Sequence, residues 1–264
     1  MTYEERFVDV AGKKTQVFVG GSGPPVVYLH SALGEAWWLE WCDGLAEDFT
    51  LHVPAHPGFG DSGGLELIED IEDVVFHYDD LFAALELDRP AIVGLSLGGW
   101  IGAEYAVRWP ERVSRLVLMD AAGLRVEGAP VPDIWAHRPP ELADMLFADP
   151  AQPLYLMMNS FEPEHPPDPD ILIPFLKAQQ ATARLAWNPY LHDPKLPGRL
   201  HRITCPTLVL WGERDGLIPL AHGERYAELV PGARLETIPG CGHLPPIERP
   251  AETVAALRRF LASS

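Results

Sequence analysis

Basic side chains are scarce in this chain. Lys and Arg number 20 against 38 Asp and Glu, a formal net charge of −18. That deficit excludes the basic footprint by which proteins grip nucleic acid or an anionic membrane surface. It also disfavours a strongly anionic substrate, unless a local cationic site overrules the bulk charge. Cysteine is equally sparse: Cys42, Cys205 and Cys241 are odd in number and lack metal-ligand spacing. A disulfide framework is not expected, and reduced thiols suit the cytoplasm. No apolar run approaches the roughly 20 residues a membrane helix needs. The segment from Met1 to Arg6 is acidic and has no apolar signal core, so a cytoplasmic protein is the expectation. Repeats and low-complexity tracts are absent too.

Metal and phosphate motifs are also missing. His52 and His56 lie four apart, but Pro54 and Pro57 deny them a shared helical face. Gly20-Gly21-Ser22-Gly23 precedes a strand rather than a helix, so it is not a phosphate cradle. Neither a metal nor a cofactor is expected.

What the chain does contain is alternation. Phe7 to Val10 and Thr15 to Val19 read as strands joined by a turn. Val26–Leu29, Thr50–Val53, Ala91–Leu95, Val113–Asp120, Thr207–Trp211 and Arg234–Ile238 follow as short apolar strands. Helical patterns fall between them: Gly34 to Glu47, Ile71 to Leu85, Gly98 to Trp109, Leu220 to Leu229, and a last helix from Pro250. Continuous apolar strands alternating with amphipathic helices predict a parallel sheet covered on both faces. Residues 124–200 break the pattern, holding 14 of the 27 prolines. Such density predicts short helical fragments, at Glu141–Phe147 and Pro174–Trp187. The expected organisation is one α/β core, residues 1–123 and 201–264, with 124–200 inserted as a helical cap.

The strongest chemical signal is Gly94-Leu95-Ser96-Leu97-Gly98, between a buried strand and a helix. A serine on such a sharp turn projects its oxygen above the sheet, and the residues two before and two after must be very small. A serine hydroxyl needs a base. His243 stands in a Gly- and Pro-bounded loop, Gly240-Cys241-Gly242-His243-Leu244-Pro245-Pro246, just past the last strand. The base needs a carboxylate to hold it. Asp215 follows the strand Thr207–Trp211; Asp120, at the end of another strand, is its rival. Asp215 is preferred because it gives the order Ser…Asp…His with each residue after a strand.

With these residues in place, the chain is similar to the α/β-hydrolase family. The resemblance rests on Leu29-His30, Pro57-Gly58-Phe59-Gly60-Asp61-Ser62, the Ser96 turn, the Asp215 turn and Gly242-His243, and spans nearly the whole sequence. It implies an eight-stranded, mostly parallel sheet with an active site between core and cap. Ser96, Asp215 and His243 would be nucleophile, orienting acid and base. It also implies that the backbone N–H groups of Ala32 and Leu97 hold the oxyanion. Ser31 departs from the family's usual glycine in that loop.

Relatives that use an aspartate nucleophile, such as haloalkane dehalogenases and epoxide hydrolases, are disfavoured by Ser96. Serine members include esterases, lactonases, thioesterases, haloperoxidase-like perhydrolases and C–C hydrolases of ring-fission products. The C–C group often has an aromatic residue after the histidine, where this chain has Leu244. The expectation is a serine-dependent carboxylesterase acting on small or medium, uncharged, fairly apolar esters. C–C hydrolysis and a ligand-binding sensor on the same fold are the alternatives. Ser31, Trp38, Trp135, Phe147, Met158 and Trp187 are the candidate substrate contacts. Trp37 and Trp41 are expected to be core contacts.

Overall fold

Why the central strands are so apolar is answered by their position. The computed structural model describes residues 2–161 and 167–263, so the expected insertion 124–200 is described apart from 162–166. Eight strands form one sheet: β1 (Tyr3–Val10), β2 (Lys13–Gly21), β3 (Pro25–Leu29), β4 (Thr50–Pro54), β5 (Ala91–Leu95), β6 (Leu116–Met119), β7 (Thr207–Gly212) and β8 (Arg234–Ile238). Their order is β1-β2-β4-β3-β5-β6-β7-β8. The β1–β2 and β2–β4 pairs are antiparallel and every later pair is parallel. All residues of β5, β6 and β7 are buried, as strands with both faces covered must be.

The helices are α1 (Glu40–Ala46), α2 (Ile71–Ala84), α3 (Leu97–Arg108), α4 (Pro139–Leu146), α5 (Pro153–Asn159), α6 (Pro169–Ala186), α7 (Leu220–Leu229), α8 (Pro245–Glu248) and α9 (Pro250–Leu261). In α2 the Asp70 side chain caps the start by accepting from the N–H groups of Glu72 and Asp73. Its apolar face, including Val74, Tyr78 and Phe82, is buried. Residues 124–161 and 167–200 add no strand to the sheet. An isolated parallel bridge joins Gly123, just before that segment, to His192 within it.

Two expectations need correction. The helix expected over Gly34–Glu47 begins only at Glu40. Gly34 has a positive φ of 81°, and Glu35 turns its carboxylate back onto Ser31, so the intervening residues stay irregular. In the proline-rich segment, α6 runs for 18 residues with Pro174 inside it. Proline there removes the N–H owed to the carbonyl of residue 170. Asp170 is exposed, so water can take that bond.

The chain reverses direction across the sheet between β3 and β5, which are adjacent but lead outward on opposite sides. Ligand crevices in open α/β sheets form at such points, beyond the carboxyl ends of the strands. His30, Ser96, Asp215 and His243 follow β3, β5, β7 and β8 at that end.

Candidate active site

Ser96 occupies a strained backbone position, φ 54° and ψ −112°, of the kind that persists only when its surroundings enforce it. The enforcement is visible in the glycines. A Cβ on Gly98 would stand 2.0 Å from the carbonyl oxygen of Leu29, and one on Gly94 2.3 Å from that of Gly98. Helix α3 starts at the next residue, so its N-terminal dipole favours negative charge beside Ser96.

The Ser96 Oγ lies 2.9 Å from Nε2 of His243. Nδ1 of His243 lies 2.7 Å from Oδ2 of Asp215. The other Asp215 oxygen accepts from the N–H groups of Leu217, at 2.8 Å, and Ile218, at 2.9 Å. The side chains of Asp215 and His243 are 0% and 2% exposed. The histidine loop is itself pinned: its N–H donates to the Leu146 carbonyl at 2.7 Å. Glu248 accepts from the N–H groups of Gly242 and Ala148. A hydroxyl on a histidine held by a buried carboxylate is the arrangement for general-base activation.

Asp120 stands behind this chain of bonds. One of its oxygens accepts from the Gly212 N–H at 2.8 Å; the other is buried without a hydrogen-bond partner among the described residues. Oxygens of Asp120 and Asp215 and a nitrogen of His243 lie within 4.8 Å of one another. Burial and the adjacent Asp215 push the Asp120 carboxyl well above the usual range, which favours its neutral form. Nδ1–H of His243 donates to Asp215, and Asp120 stands beside that pair.

The loop after β3 explains Ser31. Its Oγ donates to Oε2 of Glu35 at 2.6 Å and accepts from the Leu33 N–H at 3.1 Å. Its own N–H donates to Oε1 of Glu35 at 2.7 Å, which also receives the Tyr28 hydroxyl. The serine thus knots the loop to a carboxylate that is 2% exposed. The backbone N–H groups of Ala32 and Leu97 make no hydrogen bond among the described residues, so both are free to donate to a ligand beside Ser96.

Two buried histidines brace the same loop. The His56 N–H donates to Nε2 of His30 at 2.9 Å, so Nδ1 of His30 carries the proton given to the Ser31 carbonyl. His56 returns a bond from Nε2 to the His30 carbonyl at 2.9 Å and accepts the Tyr78 hydroxyl on Nδ1. Burial lowers the pKa of both rings, which keeps these neutral tautomers in place.

The cavity at Ser96 is small, about 30 Å³, and nearly all apolar. Its lining includes Ser31, Ala32, Leu33, His243 and, from the surrounding segments, Ile134, Leu142, Leu146, Gln179 and Leu217. Among the described residues, no lysine or arginine lines it. Of the candidate contacts, Ser31 lines the cavity. Met158 lines a neighbouring groove instead. Trp38 donates to Asp43 and stacks on Tyr3; Trp135 packs on Trp187 and Tyr190; Phe147 meets Tyr155. None of these four aromatics lines the cavity: Trp38, Trp135 and Phe147 pack against other rings, and Trp187 touches Trp135 but is 58% exposed. Trp41 is a core contact against Tyr28, as expected. Trp37 is not: it is 50% exposed and lines the groove. Of the lining that went unforeseen, Leu217 had a signal, its place two residues after Asp215. The leucines of α4 had none.

A model of the alpha/beta hydrolase family matches residues 17–257. Among relatives by sequence, a 2-hydroxy-6-oxo-2,4-heptadienoate hydrolase of Pseudomonas putida (strain F1) is 30% identical, with 98% of this chain and 96% of that protein covered. Among solved structures, the 2-hydroxy-6-oxo-6-phenylhexa-2,4-dienoate hydrolase of Rhodococcus sp. strain RHA1 superposes with a TM-score of 0.81 at 23% identity, covering 99% of each chain. A bacterial membrane phospholipase A gives a TM-score of 0.76 at 28% identity, covering 98% of this chain and 86% of that one.

Proposed function

Because this chain belongs to the alpha/beta hydrolase family, we propose that it is a serine hydrolase cleaving uncharged, apolar carboxylic esters through an acyl-enzyme. Ser96 attacks the ester carbonyl while His243 Nε2 takes its proton. Asp215 holds the imidazole in the required tautomer and stabilises the imidazolium. The N–H groups of Ala32 and Leu97 receive the oxyanion, contributing about 3 kcal/mol each to barrier lowering by the usual cost of losing such a donor. His243 then protonates the leaving alcohol, and water repeats the sequence to free the acid. Residues 124–200 are proposed as the cap that closes over this chemistry; α4 and α6 carry lining residues of the cavity.

The observation that carries the ester reading is the lining itself. Among the described residues, the cavity beside Ser96 is lined by no lysine or arginine, and Lys177 lies on the neighbouring groove with Asp170, so burying an anionic group against Ser96 itself would be costly. The second reading is hydrolysis of a C–C bond in a ring-fission product. The names of the relatives favour it over ester hydrolysis. A 2-hydroxy-6-oxo-dienoate is, however, a carboxylate. One experiment separates the two: kcat/KM for a panel of simple alkyl esters, measured beside 2-hydroxy-6-oxo-2,4-heptadienoate. The ester reading expects the esters to be the better substrates. A dienoate turned over far faster than every ester would overturn it in favour of C–C hydrolysis.

A further inference from the structure

The two flanks of the Ser96 cavity are built differently. On the His243 flank, the buried side chains of Leu142, Leu146 and Leu217 close the space. Leu146 is fixed there by the bond its carbonyl receives from the His243 N–H. On the opposite flank, past Leu33, lies an apolar groove of about 480 Å³, within the size range of ligand pockets. Leu33 lines both spaces. Helix α6 also borders both, with Gln179 on the cavity and Ala178 on the groove. The groove therefore adjoins the cavity at Leu33.

Its lining is mainly apolar, with Glu35, Asp61, Asp170 and Lys177 as its charged members, and the apolar part suits an extended hydrocarbon. Helix α5 contributes Met157 and Met158, and α6 contributes Phe175 and Ala178. Phe59 faces them from the core side. Unbranched, polarisable methionines adapt to chains of differing shape.

Chemistry assigns the flanks. In ester cleavage the leaving oxygen must reach the proton on His243, so the alcohol lies on the closed flank. The acyl substituent points the other way once the carbonyl oxygen is on Ala32 and Leu97. Resting on the ester reading above, we infer that the groove is the acyl-chain site and that this enzyme selects esters of medium-length apolar acids with a small alcohol.

The test is two ester ladders. Methyl esters from acetate to decanoate should gain about threefold to fourfold in kcat/KM per methylene until the groove is filled, the gain expected for burying one CH₂. Acetates from methyl to octyl should lose activity with each step. A flat methyl-ester ladder, or preference for long alcohols, overturns the groove assignment while Ser96-dependent turnover keeps the ester reading intact. A second measurement does not depend on turnover: binding of 2-undecanone to the Ser96→Ala protein, followed by tryptophan fluorescence, since Trp37 borders the groove. Met157→Trp should weaken that binding about tenfold by filling the groove. Equal affinity in the two proteins overturns the assignment even if no ester is ever hydrolysed.

Discussion

Replacing Ser31 by alanine removes a single oxygen and should loosen the loop that presents Ala32. Two bonds go with it: the one to Glu35 Oε2, at 2.6 Å, and the one from the Leu33 N–H, at 3.1 Å. A hydrogen bond to a charged group contributes about 1.5–3 kcal/mol, and an N–H left without a partner costs about 1 kcal/mol more. The buried Glu35 keeps Tyr28 and the Ser31 N–H as donors, so the sum stays near 3 kcal/mol. For a chain of this size the melting temperature should fall by roughly 6–12 °C. Turnover should fall as well, up to about 100-fold if the Ala32 N–H is lost to the oxyanion altogether. KM should change little, because the defect lies in transition-state stabilisation. Ser31→Gly should behave the same way, since it removes the same hydroxyl. Thermal melts followed by circular dichroism, with steady-state kinetics on a methyl ester, read both effects. An unchanged melt and unchanged kcat would refute the loop argument. A raised KM at constant kcat would make Ser31 a substrate contact instead.

Asp120→Asn should stabilise the protein at neutral pH. The folded carboxyl has a raised pKa, so its contribution is present at low pH and is lost as pH rises through that value; an amide escapes this loss. Melting should rise at pH 8 with turnover little changed, and a loss as severe as that of Asp215→Asn would make Asp120 the orienting acid. Buried His52 and His77 have pKa values lowered to about 4 from 6.5. Unfolded chains therefore bind more protons between those values, and stability should drop about 1.4 kcal/mol per pH unit for each ring as pH falls from 6.5 to 4. The double variant His52→Gln/His77→Gln should flatten that slope in melts taken across the range; an unaltered slope would contradict it. Gly98→Ala should yield little folded protein, because its Cβ would stand 2.0 Å from backbone oxygen. Normal expression and melting of that variant would show the Ser96 turn to be more tolerant than its geometry implies.

Much of this molecule was legible in sequence because its signals are backbone requirements. Gly94 and Gly98 flank Ser96 since no side chain fits there, and the strands β5 to β7 are apolar throughout since both faces are covered. Asp215 and His243 were findable because each follows a strand and sits beside glycine. The helix start at Glu40 was not legible: it is delayed by a side-chain bond from Glu35 back to Ser31, which no periodicity records. Ser31 itself read as an anomaly, and only its partners show it to be a tie. The cavity-lining residues were the least legible. Large aromatics of the 124–200 segment look like pocket walls in sequence, yet Trp135 and Phe147 are used in packing between elements and Trp187 is largely exposed. The leucines that do line the cavity are ordinary members of an amphipathic helix and of a turn.

The proposed chemistry requires the Ser96 Oγ as the attacking atom. Its most direct test is kcat/KM of the Ser96→Ala protein on methyl octanoate, with melting measured in parallel to show an intact fold. Loss of a nucleophile of this kind lowers turnover by about 10⁶-fold in precedent systems, so activity at or below detection with an unchanged melt is the predicted result. A folded Ser96→Ala protein that retains wild-type turnover would contradict it.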